Sequence, residues 1–392
     1  MTGYSQPHPG NWHMAVRPTP LHPRMAEASR TNQWSQRLGW TVPEVIDTHE
    51  AEHATLRTRC TLADRTPLAT YRFNGPDTAA CLNRLAGGCG GNVSVGGSRH
   101  VALCDDGGAL VADGIVMRPD IATWLLTLPV RAFDWLSLAV EGFECAVEDV
   151  SDQIATLGVE GPASCATLLS AGFAGLEALR PGALRILKIG QAQVVVARRS
   201  ATAGLGYELR MAVDDAVFIF DRVRRDGAFW RPQPVGEATL RLARLEAGLI
   251  HEGAEYTTAL IADPDARRSP LELGLGALLD LSVTHFTGHS ALTAQRQHGP
   301  ERALIGLEIE GDIRPQTNML MADNKTVGRL TSVEWSPACK RIIALADIDA
   351  GALGNARDLQ VFAPGGPLLS ARIVPRPFYR CETARRTPPD AQ

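Results

Sequence analysis

The same local device occurs twice in this chain, and its recurrence constrains the fold more than any other feature. Gly75-Pro76-Asp77-Thr78-Ala79-Ala80-Cys81-Leu82-Asn83-Arg84-Leu85-Ala86-Gly87 reads as a turn, a proline near a helix start, a short apolar helix and a glycine stop. Gly161-Pro162-Ala163-Ser164-Cys165-Ala166-Thr167-Leu168-Leu169-Ser170-Ala171-Gly172 repeats it. Each copy follows a strand candidate, Tyr71–Phe73 in one case and Thr156–Val159 in the other. A strand–Gly-Pro–helix unit used twice suggests a duplicated α/β half. Gly-Pro is also a common helix entry, so the pair alone leaves duplication and coincidence both open.

Between the copies, Gly107-Gly108-Ala109-Leu110-Val111-Ala112-Asp113-Gly114-Ile115-Val116-Met117 is an apolar run with one carboxylate in its middle. Leu110–Met117 reads as a buried strand after the turn at Cys104–Gly108. Burying an ionised carboxylate there is costly unless it is paired or hydrogen-bonded. Asp113 is therefore either a catalytic acid tuned by its surroundings or a structural acid capping a loop.

The whole chain narrows the function classes. Its 392 residues suffice for two or three domains, each with its own core. A net charge of −4 gives no reason to expect nucleic acid or an anionic membrane as partner. No apolar run is long enough to span a bilayer, and polar Met1–Gly10 does not read as a secretory signal. The expectation is a cytoplasmic protein. Eight cysteines stand singly, with no Cys-x-x-Cys and no Cys/His cluster, so no metal site is expected. There is no Gly-x-Gly-x-x-Gly after a strand and no Walker-type Gly-Lys-Ser/Thr.

Residues 1–40 read as a surface arm anchored by Trp12, Leu21 and Trp34, and 41–298 as two interleaved lobes. Within them His49–Arg59 has helical periodicity, broken at Cys60–Asp64. Thr123–Leu128 and Cys145–Val147 read as strands around a helix at Val130–Ala139. Gln193–Arg198 and Tyr207–Val213 look like an antiparallel hairpin. Asp214–Arg224 and Glu237–Leu249 read as helices. From 299 to 381 the texture changes to short strands between Gly, Pro and Asp turns: Leu304–Ile309, Met319–Met321, Thr326–Leu330, Ile342–Ile348 and Leu359–Phe362. That is the pattern of a terminal β-barrel or jelly roll, followed by a tail at 382–392.

Two places besides Asp113 hold chemistry-bearing residues. Strand alternation sends Tyr207, Leu209 and Met211 to one face and Glu208 and Arg210 to the other. Glu208 is then either half of a solvent-facing ion pair or a carboxylate that accepts two parallel N–H donors from a flat heterocycle. Arg241 and Arg244 share a helix face, where they either clamp an anionic tail or form ordinary surface pairs.

The order of short motifs is more specific than any one of them. Gly206-Tyr207-Glu208-Leu209, Arg244-Leu245-Glu246-Ala247-Gly248-Leu249, Ser269-Pro270-Leu271-Glu272-Leu273-Gly274-Leu275 and Phe286-Thr287-Gly288-His289-Ser290-Ala291-Leu292 follow one another. Gly328-Arg329-Leu330-Thr331-Ser332 and Ser336-Pro337 continue the series, and Asn74-Gly75-Pro76-Asp77 and Thr19-Pro20-Leu21-His22 precede it. This succession resembles the aminomethyltransferase family: the T-protein of glycine cleavage and the related tetrahydrofolate-dependent demethylases. The resemblance covers roughly residues 19 to 380.

It implies an α+β fold of three lobes in a ring, two α/β lobes of ferredoxin-like duplicated halves and a C-terminal β-barrel, around a folate pocket. It implies that Asp113 faces the reacting nitrogen of folate and that Glu208 holds the pterin. Arg198 and Arg244 would lie by the cofactor, and Tyr207 would wall the pocket. A preorganised carboxylate suits one-carbon transfer, which passes through a cationic centre. Tetrahydrofolate carries the carbon unit, while the protein orients it.

The chain departs from the family pattern where the donor should sit. Ala112 precedes Asp113 where the T-protein shows a second acid, and His100 stands where relatives place an aromatic residue, often tyrosine. His100 is thereby a candidate general base. The hairpin reads Ala201-Thr202-Ala203-Gly204 instead of an aromatic residue followed by Thr-Gly-Asp/Glu. These changes favour a tetrahydrofolate-dependent demethylase or methyltransferase acting on a small N-, S- or O-methyl compound. The alternative is the glycine-cleavage aminomethyltransferase itself, with a lipoyl-bearing protein partner. A non-catalytic folate-binding assembly factor is a third reading, opposed by the absence of its cysteine motif in Thr284–His289.

Overall fold

The computed structural model describes residues 16–381 except 203, 312–314, 316, 355–358 and 363–367. Trp12, Ala203 and the 382–392 tail lie outside the described residues.

The duplication is a property of the topology. In the first half, strand Ala69–Asn74 leads through Gly75-Pro76 into helix Thr78–Leu85. Then comes a three-strand meander, Gly97–Cys104, Leu110–Arg118 and Trp124–Leu128. The last meander strand pairs back onto the first strand, and helix Phe133–Ala139 leads to strand Ala146–Asp149 on its other side. The second half repeats the order: strand Ile154–Glu160, helix Ser164–Ser170, meander Leu184–Ile189, Ala192–Ala197 and Gly206–Ala212, helix Ala216–Asp226, strand Gln233–Val235. Here too the last meander strand pairs with the first strand of its half. The one difference is Thr61–Asp64, inserted between Ile154–Glu160 and Gln233–Val235 to make six strands instead of five.

Both Gly-Pro turns need their glycine for the same reason. Gly75 has φ +139° and Gly161 φ +113°, a region closed to most side chains. A Cβ would lie 2.1 Å from the Glu144 carbonyl oxygen at Gly75 and 2.5 Å from that of Arg59 at Gly161.

Alternation along the strands divides each sheet into two faces. On the five-stranded sheet, Tyr71, Phe73, Val101, Leu103, Val116 and Leu126 form a core beneath the helices of that half. On the six-stranded sheet, Leu157, Val159, Val194, Val196, Tyr207 and Leu209 do the same. The opposite faces meet through Met117, Leu125, Val150, Leu184 and Ala197. That inner junction is where the charged residues lie.

The third lobe is a closed six-stranded barrel, Arg302–Ile309, Arg341–Asp349, Lys325–Ser336, Met319–Ala322, Leu359–Phe362 and Leu368–Val374, with the last strand pairing the first. Closure excludes the jelly-roll alternative and requires the strand Leu368–Val374, which the sequence pattern does not reveal. Leu304, Ile343 and Leu345 of the barrel pack with Ala102 and Leu110 of the five-stranded sheet, with Leu245 and Tyr256 between them. Three lobes thus share one centre.

The expected surface arm is corrected from residue 17 onward. Arg17–Pro18, Trp40–Val45 and Gln33–Arg37 form a small sheet, joined by helix His22–Ala28. Leu21 and Met25 are fully buried in the core of the six-stranded lobe. Cys60–Asp64, read as a helix break, contains a wholly buried strand, Thr61–Asp64, that is too short to show a period.

Candidate active site

Asp113 stands opposite Ala102, so it shares the inner face with His100, two residues along the neighbouring strand. His100 Nε2 lies 2.9 Å from Asp113 Oδ2. The Tyr256 hydroxyl donates to Asp113 Oδ1 at 2.8 Å, and the Asp113 backbone N–H approaches the same hydroxyl oxygen at 3.3 Å. Burial and the neighbouring Asp113 carboxylate push the Tyr256 phenol well above its ordinary range, so it remains a donor. Asp113 itself is only half-buried, its side chain 18% exposed and that of His100 35% exposed. The apolar run does not swallow the acid, because period-2 alternation turns it away from the lobe core.

Glu208 projects from the other inner face, opposite Gly158 and Ala197. Arg210 donates to its Oε2 at 3.2 Å and, with its other nitrogen, to Thr127 of the five-stranded sheet at 2.5 Å. This arginine therefore bridges the two duplicated halves. Arg65 lies with its stem against Gly158, where a Cβ would come within 3.1 Å of it. Burial opposes ionisation of Glu208, but Arg210, Arg199 and Arg65 outweigh it and hold the carboxyl below its usual range. Glu208 is thus favoured in its ionised form by the guanidinium groups around it. Nε of Arg199 is buried without a hydrogen-bond partner among the described residues.

The loop beside it is shaped by a second buried acid. Glu160 accepts from Ser200 Oγ at 2.5 Å, Thr202 Oγ1 at 2.9 Å and the Ala201 N–H at 3.1 Å. Burial raises its pKa against those hydrogen bonds. A cleft of about 220 Å³ opens between this loop and the Pro181-Gly182 turn, lined by Arg198, Arg199 and Ser200.

Three further expected site residues make contacts that the sequence does not show. Tyr207 is fully buried under the helices with its hydroxyl 3.5 Å from the Leu176 carbonyl, so it does not wall the inner face. Arg198 donates to the Leu179 carbonyl at 2.7 Å and lines the same cleft as Arg199. Its neighbour Arg199 continues the alternation of Val195 and Ala197 and takes the inner position. Arg244 is held by Glu255 at 2.7 Å and by Ser332 of the barrel at 2.7 Å, while Arg241 pairs with Glu44. The two arginines tie lobes together instead of clamping a tail. Extending the strand period two residues past Ala197 would have found Arg199. Nothing in the sequence around Tyr256 marks it, because it sits in an irregular segment after helix Glu237–Glu246.

The comparisons with known proteins bear on this arrangement. A family model described as the GCVT N-terminal domain matches residues 22–282. A second, the Glycine cleavage T-protein C-terminal barrel domain, matches residues 302–380. The chain belongs to the glycine cleavage T-protein family. It is 30% identical over 349 residues to an Aminomethyltransferase of Geobacillus kaustophilus, covering 87% of this chain and 93% of that one. It is 28% identical to an Aminomethyltransferase of Bacillus subtilis, over 87% and 94% of the two chains. A crystal structure of glycine cleavage system aminomethyltransferase T from Bartonella henselae superposes with a TM-score of 0.82 at 21% identity, over 93% and 98% of the chains. That last likeness concerns the fold. The names of the T-protein relatives favour the aminomethyltransferase reading over the demethylase that the sequence departures suggested.

The residues present fit tetrahydrofolate. A pterin offers adjacent N–H donors, which an ionised, partly dry carboxylate such as Glu208 accepts in pairs. The unpartnered Nε of Arg199 adds a buried donor on the same face.

Proposed function

We propose that this chain is a tetrahydrofolate-dependent aminomethyltransferase that transfers a one-carbon unit to folate at the junction of its two duplicated sheets. The observation that carries the reading is one acid on the inner face of each sheet, with Arg210 beside Glu208 bonded across to Thr127 of the sheet that carries Asp113. Glu208 binds and orients the pterin through its two oxygens. Asp113 stabilises positive charge on the carbon unit in transit, where a fixed carboxylate in a partly dry site acts more strongly than in water. His100 holds or moves a proton beside it. Tetrahydrofolate, when bound, supplies the nitrogen that accepts the carbon. In this reading the aminomethyl donor is carried on a lipoyl-bearing protein partner.

A second reading, transfer from a small N-, S- or O-methyl compound, draws on one observation. A protonatable histidine lies 2.9 Å from the acid at the donor end, where the family resemblance expects an aromatic residue. One experiment separates the two. The protein is incubated with tetrahydrofolate and either an aminomethyl-loaded lipoyl carrier or a panel of methylated amines, sulfonium compounds and aryl methyl ethers. Methylene-tetrahydrofolate from the carrier supports aminomethyl transfer, and methyl-tetrahydrofolate from the panel supports the second reading. Failure to bind tetrahydrofolate by calorimetry rejects both.

A further inference from the structure

Asp113 has no lone oxygen. Tyr256 donates to Oδ1 at 2.8 Å and the His100 ring nitrogen Nε2 meets Oδ2 at 2.9 Å, so each carboxylate oxygen already holds one partner. Tyr256 is 3% exposed and packs between the barrel, the five-stranded sheet and helix Glu237–Glu246. Its hydroxyl spans both the carboxylate and the backbone N–H of Asp113, which locks the acid's rotamer. His100 is the more open of the pair, 35% exposed against 18%. Its Nε2 contact is its sole side-chain hydrogen bond among the described residues.

A carboxylate facing Nε2 selects the tautomer with hydrogen on Nε2, because a bare Nε2 lone pair would repel it. The basic lone pair is then on Nδ1, at the exposed edge of the ring. This is the division of labour between an orienting acid and a proton-carrying imidazole that recurs in unrelated hydrolases.

We propose that His100 is the proton carrier of this site, that Asp113 sets its tautomer, and that Tyr256 is a positioning residue which holds Asp113 for that purpose. The proposal rests on the one-carbon-transfer reading and deepens it. In aminomethyl transfer, Nδ1 of His100 takes a proton from the accepting nitrogen as each of two carbon–nitrogen bonds forms. The bonds from that carbon to the carrier sulfur and to the amino nitrogen break with their electron pairs on those atoms, and His100 returns one proton to each, releasing a thiol and ammonia. Protons balance over one turnover, with no external acid, base or redox partner.

The test uses the full chain with 15N-labelled histidine. Nitrogen shifts of His100 in the free protein should report hydrogen on Nε2. Asp113→Asn should abolish that preference, and Tyr256→Phe should weaken it while leaving tetrahydrofolate affinity within about twofold. His100→Ala should lose about 100- to 10,000-fold in turnover, the usual worth of a positioned acid–base group. Added imidazole should restore turnover in proportion to its concentration, a response that loss of a structural contact does not produce. Hydrogen on Nδ1 in the parent protein, a tautomer indifferent to Asp113→Asn, or a His100→Ala enzyme that is undiminished or deaf to imidazole overturns the proposal. If instead tetrahydrofolate does not bind, the one-carbon reading falls, and the tautomer measurement still decides whether Asp113 and Tyr256 orient His100.

Discussion

Glu208→Gln tests the pterin-binding role with little change of shape. Glu208 is 8% exposed, ionised, and fixed by Arg210. Its two oxygens can accept a pair of pterin N–H donors, and glutamine replaces one acceptor with a donor. One charge-assisted hydrogen bond is lost and a donor is left facing a donor. Hydrogen bonds to charged groups are worth about 1.5 to 3 kcal/mol, so affinity should fall by about 2 to 3 kcal/mol. That corresponds to a Kd weaker by about 30- to 150-fold. The fold should survive, because Arg210 keeps its bond to Thr127 and the amide oxygen still accepts from it. The assay is calorimetric titration of tetrahydrofolate into both proteins, with thermal unfolding of the free forms as control. A change of less than threefold, with both proteins folded, refutes the assignment of Glu208. The pH dependence provides a second check. Glu208 is held below the carboxylate range, so parent-protein affinity should hold on mild acidification until that lowered pKa is reached.

Other perturbations separate chemistry from architecture. Asp113→Asn should leave tetrahydrofolate binding nearly intact and abolish turnover; undiminished activity in a steady-state assay would remove Asp113 from the mechanism. Glu246, with a fully buried side chain, accepts from His53 at 2.9 Å, Arg57 and Ser336, tying two helices to a barrel strand. Glu246→Ala should therefore cost about 3 to 5 kcal/mol in denaturant unfolding, the penalty for leaving buried partners uncompensated. Burial opposes its ionisation, yet His53, Arg57 and Ser336 hold its pKa below the usual carboxylate value. Its contribution is thus present above the unfolded-state carboxylate pKa and lost as pH falls through the folded-state one, so the stability gap between Glu246→Gln and parent should narrow in acid. Gly161→Ala should destabilise by about 2 to 4 kcal/mol through strain at φ +113° and a backbone clash at 2.5 Å; a change under 1 kcal/mol in the same assay would show that the turn relaxes freely.

Much of this molecule was readable from its residues. The two Gly-Pro units left duplication open and the strand orders decide for it, while alternation put Glu208 and Arg210 on one face and Tyr207 on the other. The resemblance pointed to Arg198 before the hairpin loop, and extending the strand period past Ala197 adds Arg199, whose charge acts on Glu208; both arginines line the cleft beside it. Arg244 shows a limit of a different kind. Helical spacing shows which side chains share a face, and carries no information about Glu255 or Ser332, which reach Arg244 from outside its own helix. The last barrel strand, Leu368–Val374, went unseen because it alternates weakly, and only pairing with Arg302–Ile309 defines it.

The sequence by itself raised the repeat without deciding it, determined which residues of Tyr207–Met211 share a face, and singled out Asp113 and Glu208 as acids needing an explanation. Those are consequences of local periodicity and of the conformations open to glycine and proline, which act over a few residues. The tertiary structure decided which faces meet. Two sheets from separate halves of the chain bring Asp113 and Glu208 to one junction, with Arg210 reaching across to Thr127. Tyr256 joins them from an irregular segment on the far side of the second half. Hydrogen bonds between residues 143 positions apart depend on packing, and packing is set by the summed burial of many side chains, which no short stretch encodes.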